Sequence, residues 1–220
     1  MKTHRLLSAF LIITGSILVP ILITTATAET RAEQLTKLLG EGNFLYTQNI
    51  YDQALETFEN VLALDSNNTF AMDRIGTILY NVGKVKDSMT YFDKSLAIDP
   101  NNTGTLNKKG LALVTLGNHT AALDLFDKVL LIYPNSTDAY VNKGATFRVL
   151  GKDRDALTYL DKALAIDANN TSALTVKALT LYYAGNFTGA RMLLDKVLEI
   201  EPENFLAFSL RLKIDNTTKE

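Results

Sequence analysis

The sequence contains no cysteine and only two histidines in 220 residues. Without cysteine the chain can form no disulfide, thiolate nucleophile or cysteine-ligated metal site, so it must be stable through packing alone. His4 lies near the N-terminus. No carboxylate or second histidine recurs near His119 at the spacing of metal ligands, and we interpret it as a packing residue at a loop edge. The sequence therefore predicts no metal site.

An excess of basic charge is also missing. The chain carries 22 Lys and Arg against 24 Asp and Glu, a net charge of −2, whereas nucleic-acid-binding domains usually have a basic face and a high isoelectric point. Glycine-rich phosphate loops are absent, and no nucleophile stands beside a base. We therefore expect no nucleic-acid partner, no cofactor and no catalytic residue, and we predict that the protein is not an enzyme.

The N-terminal residues 1–28 predict export. Lys2 and Arg5 precede an uncharged run over residues 6–25, and residues 26–28 read Ala-Thr-Ala, the small-x-small pattern of a signal peptidase site. The run is longer than the usual apolar region of a signal peptide and long enough to span a bilayer, so an uncleaved anchor is the alternative. Either way the rest of the chain is expected outside the cytoplasm, meeting the membrane only through this segment.

A period of 34 residues organises the remaining chain. A small residue recurs at Gly42, Gly76, Gly110, Gly144 and Ala178, and a large residue follows each at Phe58, Phe92, Phe126, Leu160 and Leu194. The predicted divisions are a lead-in at 29–34, a solenoid at 35–204 with units 35–68, 69–102, 103–136, 137–170 and 171–204, a capping helix at 205–214 and a tail at 215–220. Arg211 and Lys213 would give that cap a polar outer face.

Each unit predicts two helices. In the second unit, apolar residues at helical spacing end at Gly83, a second apolar face follows, and Pro100 prevents its continuation. Because only a small residue lets two helices cross closely, Gly76 is predicted to make room for Phe92. We expect the Asp-Lys pairs after the large residue to face solvent and to contribute little each; these are Asp93-Lys94, Asp127-Lys128, Asp161-Lys162 and Asp195-Lys196.

This pattern resembles the tetratricopeptide repeat (TPR) family, whose signature lies at unit positions 8, 11, 20, 24, 27 and 32. In the third unit these positions are Gly110, Leu113, Ala122, Phe126, Val129 and Pro134. The resemblance implies an all-α, right-handed solenoid of antiparallel helix pairs, with five TPR units and a short C-terminal cap helix. It also implies a concave groove, lined by the first helices, that holds a partner protein. The first and fourth units depart from the family at position 32, with Ser66 and Ala168 in place of proline.

Family contact positions, carried over unit by unit, give the predicted groove. The groove is largely uncharged and carries tyrosines, which favours a partner held by aromatic contacts and hydrogen bonds. Leu39 stands where some family members place the lysine of a carboxylate clamp, so that clamp is not present. Individual positions could instead be half-buried between helices. The predicted partner-binding residues are Asn43, Tyr46, Phe70, Asp73, Thr77, Tyr80, Asn107, Arg148, Thr175 and Tyr182.

Asn-x-Ser/Thr sequons recur at two unit positions, 33 and 16. At position 33 a structural interpretation also fits, because Asn suits turns and the threonines Thr69, Thr103, Thr137 and Thr171 could cap the next helix. At position 16 that interpretation is weaker, so we predict N-glycosylation on both rims with the groove left open. The predicted sites are Asn67, Asn101, Asn118, Asn135, Asn169, Asn186 and Asn216.

The sequence thus predicts an exported or surface-anchored scaffold that binds a partner polypeptide in its groove. A glycosylated structural spacer or envelope component, and an accessory subunit of an envelope assembly, are the alternatives. The dense Asn-Thr sites, the lack of cysteine and the Asn-Lys-Gly run at residues 142–144 are similar to TPR proteins of methanogenic archaea.

Overall fold

The computed structural model describes residues 29–217, which form eleven α-helices and no strand. The predicted signal or anchor at residues 1–28 lies outside the described residues. Between residues 29 and 217 no helix is both long and apolar enough to cross a bilayer. The helices are α1 (Arg31–Thr47), α2 (Tyr51–Leu64), α3 (Thr69–Asn81), α4 (Val85–Ile98), α5 (Thr103–Thr115), α6 (His119–Ile132), α7 (Thr137–Val149), α8 (Asp153–Ile166), α9 (Thr171–Tyr183), α10 (Phe187–Ile200) and α11 (Phe205–Thr217).

The chain forms two compact units, one ending at Ser66 and one beginning at Asn67. The first contains the hairpin of α1 and α2. In the second, the hairpins α3/α4, α5/α6, α7/α8 and α9/α10 follow one another, and the second helix of each packs on the first helix of the next. The first helices also contact each other in sequence, α3 with α5, α5 with α7, and α7 with α9. The predicted all-α solenoid of helix pairs is confirmed.

Small and large residues meet inside each hairpin, as the repeat predicts. A Cβ added to Gly76 would lie 2.6 Å from the ring of Phe92, and one added to Gly144 would lie 2.7 Å from Leu160. Both distances are below any normal carbon–carbon contact. The large partners, including Phe58 in the first unit, are almost fully buried. The glycines therefore set how closely the two helices of a hairpin approach.

The turn between the two helices of a hairpin requires a left-handed residue. Gly83, Gly117, Gly151 and Gly185 all have φ between 70° and 81° there. The first hairpin has Asn49 at this place, with φ 58°. Glycine adopts this conformation without steric cost and Asn tolerates it better than most residues, so the missing glycine of the first unit leaves the turn intact.

The N-caps of the first helices lie one residue earlier than the sequence suggested. The cap of α5 is Asn102, whose Oδ1 accepts from the Thr105 amide at 3.0 Å, and Thr103 is already helical. The prediction that the threonines cap these helices is wrong. The capping residue must be extended so that its side chain reaches the amide three residues on, and the middle residue of Asn-x-Thr has that conformation. The equivalent caps are Asn68, Ser136 and Asn170.

The solenoid ends differ from the predicted divisions. Helix α1 begins at Arg31, inside the predicted lead-in, because Thr30 and Glu33 form a capping box. Helix α11 runs past residue 214 into the predicted tail. Its exposed residues are both polar and apolar, whereas the sequence predicted a polar outer face. Arg211 and Lys213 contact the rest of the unit, and the residues more than half exposed include Phe205, Leu206, Phe208 and Leu212.

Candidate partner-binding face

The first helices α3, α5, α7 and α9 build one face of the second unit, here called the first-helix face. Because neighbouring first helices touch, a residue of one repeat meets the residue of the next repeat that lies 35 positions later, one more than the repeat length. The Tyr80 hydroxyl lies 3.1 Å from Thr115 Oγ1, and Asn142 Nδ2 donates to Asn107 Oδ1 at 3.5 Å. These contacts place uncharged donors and acceptors along the face, which suits hydrogen bonding to an extended polypeptide.

One cleft of this face lies between α3 and α5. It encloses about 150 Å³, with the ring of Phe92 and the aliphatic Leu111 beside the hydroxyls of Thr77 and Tyr80. Asn81 and Lys108 complete the lining. Thr77 donates to the Asp73 carbonyl of its own helix at 2.6 Å, so its hydroxyl oxygen is available as an acceptor. The cleft is an apolar pocket with a polar edge, and it fits a single side chain.

A larger cleft of about 430 Å³ lies where α9 meets the start of α11. Glu201 at its edge accepts from the Thr171 hydroxyl and from Asn204 Nδ2, both at 2.7 Å. These hydrogen bonds, with that of Thr171 the larger effect, lower the pKa of the Glu201 carboxyl. The carboxylate is therefore fixed in position and ionised at neutral pH. The remaining lining residues are Ser172, Thr175, Val176, Leu179 and Leu206.

Asp73 is not the exposed partner contact that the sequence suggested. It is only 9% exposed, and both its carboxylate oxygens accept from the Thr105 hydroxyl, at 2.8 and 2.7 Å. Lys108 Nζ lies 3.6 Å from the same carboxylate. Both partners belong to the next repeat, so Asp73 ties α3 to α5. Thr175 is also buried, and it reaches the surface only as part of the larger cleft.

The aromatic residues predicted for the groove are engaged with neighbours. The guanidinium of Arg74 lies 4.8 Å from the ring centroid of Phe70. Tyr182 packs against two aromatic rings and lies 5.3 Å from Lys213 Nζ. In the first unit, Tyr46 and Tyr51 have ring centroids 6.1 Å apart, and Asn43 has a buried Oδ1 without a hydrogen bond to the described residues. Each of these rings therefore packs against a neighbouring side chain of the described residues.

Arg148 differs from the other predicted contacts. It lies in the last turn of α7 and is half-buried, and its Nε atom is inaccessible to solvent. Its guanidinium forms no hydrogen bond, ion pair or ring contact within residues 29–217. The sequence placed Arg148 on the face but could not show that its charge lacks a partner.

A ladder of ion pairs crosses the repeats, and sequence reasoning missed it. The aspartate of each Asp-Lys pair meets a basic residue sixteen positions later, in the next repeat or, for Asp195, in α11. Lys109 to Asp93, Lys177 to Asp161 and Arg211 to Asp195 are each 2.5 Å apart, and Lys143 pairs with Asp127 in the same way. The aspartates face solvent as expected, with side chains 43% to 60% exposed, but they also form ion pairs that were not predicted from the sequence. The recurring lysine before Gly110 and Gly144 was the available signal.

The lysines of two Asp-Lys dipeptides contact the preceding repeat. Lys128 Nζ donates to the carbonyl of Pro100 and Lys196 Nζ to that of Ala168, both at 2.6 Å. Each acceptor lies in the turn that ends the preceding repeat. In these repeats the Asp-Lys dipeptide links one hairpin to both its neighbours.

All seven predicted glycosylation asparagines are exposed. Their hydrogen bonds are the opposite of what the sequence suggested, since the asparagines at position 16 have a structural role and three of those at position 33 have none. Asn118 and Asn186, whose structural role seemed weak, accept from the Ala121 and Gly189 amides and so cap the second helices α6 and α10. The side chains of Asn101, Asn135 and Asn169, at position 33, form no hydrogen bond to the described residues. Asn101, Asn135 and Asn169 thus present side chains that form no hydrogen bond to the rest of the described chain.

Hairpins stacked in this way, with one face built from first helices, define the class of helical-repeat proteins. Within that class, residues 71–102 and 107–171 match family models described as tetratricopeptide repeat. These matches and the fold together support the tetratricopeptide repeat family for this chain. Proteins with this fold typically mediate protein–protein interaction rather than catalysis. Among residues 29–217 no three His, Cys, Asp or Glu side chains are grouped to hold a metal ion.

Solved structures share the fold at low sequence identity. A thermophilic TPR protein of Thermus thermophilus is 21% identical, with a TM-score of 0.73 over 84% of this chain and 100% of that one. PilF of Pseudomonas aeruginosa is 20% identical, with a TM-score of 0.71 over 87% of both chains. YrrB, a TPR protein with an unusual peptide-binding site, is 23% identical, with a TM-score of 0.57 over 83% of this chain and 98% of YrrB. No curated protein matches the sequence.

Proposed function

We propose that the protein is an exported or surface-anchored scaffold that binds a partner polypeptide on the first-helix face. The observation that carries this proposal is the pair of clefts on that face, one between α3 and α5 and one where α9 meets α11. Each combines an apolar floor with hydroxyl and amide groups at its edge. A polypeptide offers side chains for such pockets and a backbone for the polar groups between them.

The charges of the same face favour a protein partner over a nucleic acid. Its basic residues are mostly neutralised by ion pairs, as in Lys109 with Asp93, so no continuous cationic surface is available for phosphates. Tyr80 and Tyr182 provide the amphipathic rings that are enriched in protein interfaces. The similarity to YrrB, which has a peptide-binding site, supports this assignment.

Site-specific photo-crosslinking in the native host tests the binding face. A photoreactive residue in place of Thr77 or Ser172, one in each cleft, is expected to trap one defined polypeptide. The matched control is Asp124, exposed on the second helix α6, which is expected to trap nothing. Tyr80→Ala combined with Tyr182→Ala should abolish the crosslink at both cleft positions. A structural spacer would give no crosslink that depends on position, and that result would refute the scaffold.

Export is supported by the pattern of residues 1–28 and by the exposed sequons. Mass spectrometry of the protein from native envelope and culture medium tests it. A mature chain beginning at Glu29, or a full-length chain in the membrane fraction that is degraded by protease added to whole cells, is the expected result. A full-length chain confined to the cytoplasm would refute export while leaving the binding face intact.

A further inference from the structure

The basic residues of the first helices and of α11 in the second unit are neutralised, with one exception. Four of them form ion pairs along the repeat ladder, and Lys108 approaches Asp73. Arg74 and Lys213 lie against the rings of Phe70 and Tyr182. Only Arg148 has none of these contacts within the residues that the structure describes. Arg148 is therefore the one basic residue of this set that contacts neither a carboxylate nor an aromatic ring among the described residues.

A half-buried guanidinium without an acceptor is unfavourable, because it has lost part of its hydration and gained no hydrogen bond. Nε of Arg148 is inaccessible to water and unbonded, although each of the other basic side chains of this set has a carboxylate or an aromatic ring beside it. The planar fork of arginine matches a carboxylate with two parallel hydrogen bonds. A carboxylate from outside the described residues would satisfy the group that the fold leaves open.

The ends of the first helices, where Arg148 lies, also expose apolar side chains. The last turns of α5, α7 and α9 and the residues that follow them carry apolar side chains that are 39% to 68% exposed, namely Leu116, Val149, Leu150 and Tyr183. The nearest acidic residue on α7 is Asp138, ten residues before Arg148 and about 15 Å away along the helix axis at 1.5 Å per residue. The same ends of neighbouring first helices thus expose apolar side chains, and the one acidic residue on α7 lies too far from Arg148 to pair with it.

We infer that Arg148 binds an acidic side chain of the partner polypeptide, with aliphatic or aromatic residues on either side of that acid. This inference rests on the proposed function and names the chemistry of its partner. It is specific to the fourth repeat, because the equivalent residues of the other repeats are Tyr46, Tyr80, Val114 and Tyr182. The surface consists of Arg148 with Leu116, Val149, Leu150 and Tyr183.

The test uses the full chain and an array of random-sequence nonapeptides with amidated C-termini, so that side chains supply the only carboxylates. The wild-type protein is expected to select peptides that contain Asp or Glu next to aliphatic or aromatic residues. The Arg148→Gln variant should lose the acidic preference. The matched control, Arg154→Gln, removes an exposed arginine from the second helix α8 and should keep it. Circular dichroism melting of each variant verifies folding.

A double-mutant cycle gives the quantitative result. For a selected peptide, changing its acid to the amide should weaken binding to the wild type by about 10- to 100-fold, the range for a hydrogen bond to a charged group. The same change should have no effect on Arg148→Gln, and Arg148→Lys should give an intermediate loss. Selected peptides without an acid, or equal losses in both proteins, would overturn the role of Arg148 while leaving peptide binding established. Selection of no peptide at all would overturn both proposals.

Discussion

Lys143 and Asp127 form an ion pair in which the lysine side chain is 5% exposed and the aspartate side chain 60% exposed. The Lys143 ammonium also lies 4.4 Å from the ring centroid of Tyr159. The two residues belong to successive repeats, so the fold holds a buried cation in place with a carboxylate supplied from the neighbouring hairpin. Because Lys143 is buried and Asp127 is exposed, the ion pair matters more for the lysine, whose ammonium has little contact with water, than for the aspartate.

Asp127→Asn is expected to lower the free energy of unfolding by about 1–2 kcal/mol, because it leaves a buried ammonium without its counter-charge. Urea denaturation followed by circular dichroism measures the change. The matched control is Asp93→Asn, whose partner Lys109 is 24% exposed and can be hydrated. That variant should lose at most about 0.5 kcal/mol. Equal losses in the two variants would contradict the role of burial.

Gly76→Ala is expected to destabilise the protein by about 1–3 kcal/mol, since the new methyl group would overlap the Phe92 ring. Gly40→Ala is the control, because a Cβ at Gly40 meets no atom within 4 Å and its helix gains alanine's better propensity. It should stabilise its helix by up to about 1 kcal/mol. Thermal melting of both variants tests the pair. A stable Gly76→Ala variant would show that the hairpin adjusts without cost.

Asn101 and Asn102 are adjacent and chemically identical but differ in role. Asn102→Ala removes the cap of α5 and should cost about 1 kcal/mol. Asn101→Ala should change stability by less than about 0.5 kcal/mol, because its exposed side chain forms no hydrogen bond to the described residues. Protein made in a host without N-glycosylation allows the comparison by urea denaturation. If Asn101→Ala were the more costly of the two, the assignment of the cap would be incorrect.

Glu201 gives a prediction of pH dependence. Its pKa in the folded protein is lowered by hydrogen bonds from Thr171 and Asn204, so its stabilising contribution is present above the pKa of an unfolded glutamate, about 4.3. The contribution is lost as the pH falls through the lower folded value. The melting temperature of the wild type should exceed that of Glu201→Gln at neutral pH, and the difference should shrink in acid. Glu203→Gln, at an exposed neighbour, should melt like the wild type throughout.

The fold was predictable because its determinants are local and repeat. The spacing of Gly76 and Phe92, read five times along the chain, fixes the hairpin and its period. Most contacts between repeats were not predictable, because they depend on how one hairpin rotates against the next, although the recurring lysine before Gly110 and Gly144 was a signal for the ion pairs. Asp73 therefore appeared as a free groove residue, although Thr105 of the next repeat holds it. The shift of the caps from Thr103 to Asn102 has a local cause, since both residue types are good caps and only the backbone conformation distinguishes them.

The candidate site was predictable only as a list of positions. The sequence placed Tyr80, Tyr182 and Arg148 on the first helices, but it could not show which side chains already have partners. Lys108 lies near the carboxylate of Asp73, whereas Arg148 has no such partner among the described residues. Both facts depend on how the side chains of α3, α5 and α7 are placed. Whether the predicted groove residues contact a partner stays a prediction.

The Asp-Lys dipeptides have a consequence for how the second unit comes apart. In a linear array, the free energy between neighbours decides whether repeats open one at a time from an end or all together. Here part of that free energy is electrostatic and spans each junction, through pairs such as Asp161 with Lys177 and Asp195 with Arg211. Added salt screens exposed pairs of this kind. Ionic strength should therefore set the length of chain that unfolds as one block, with α11 the first segment to separate in concentrated salt.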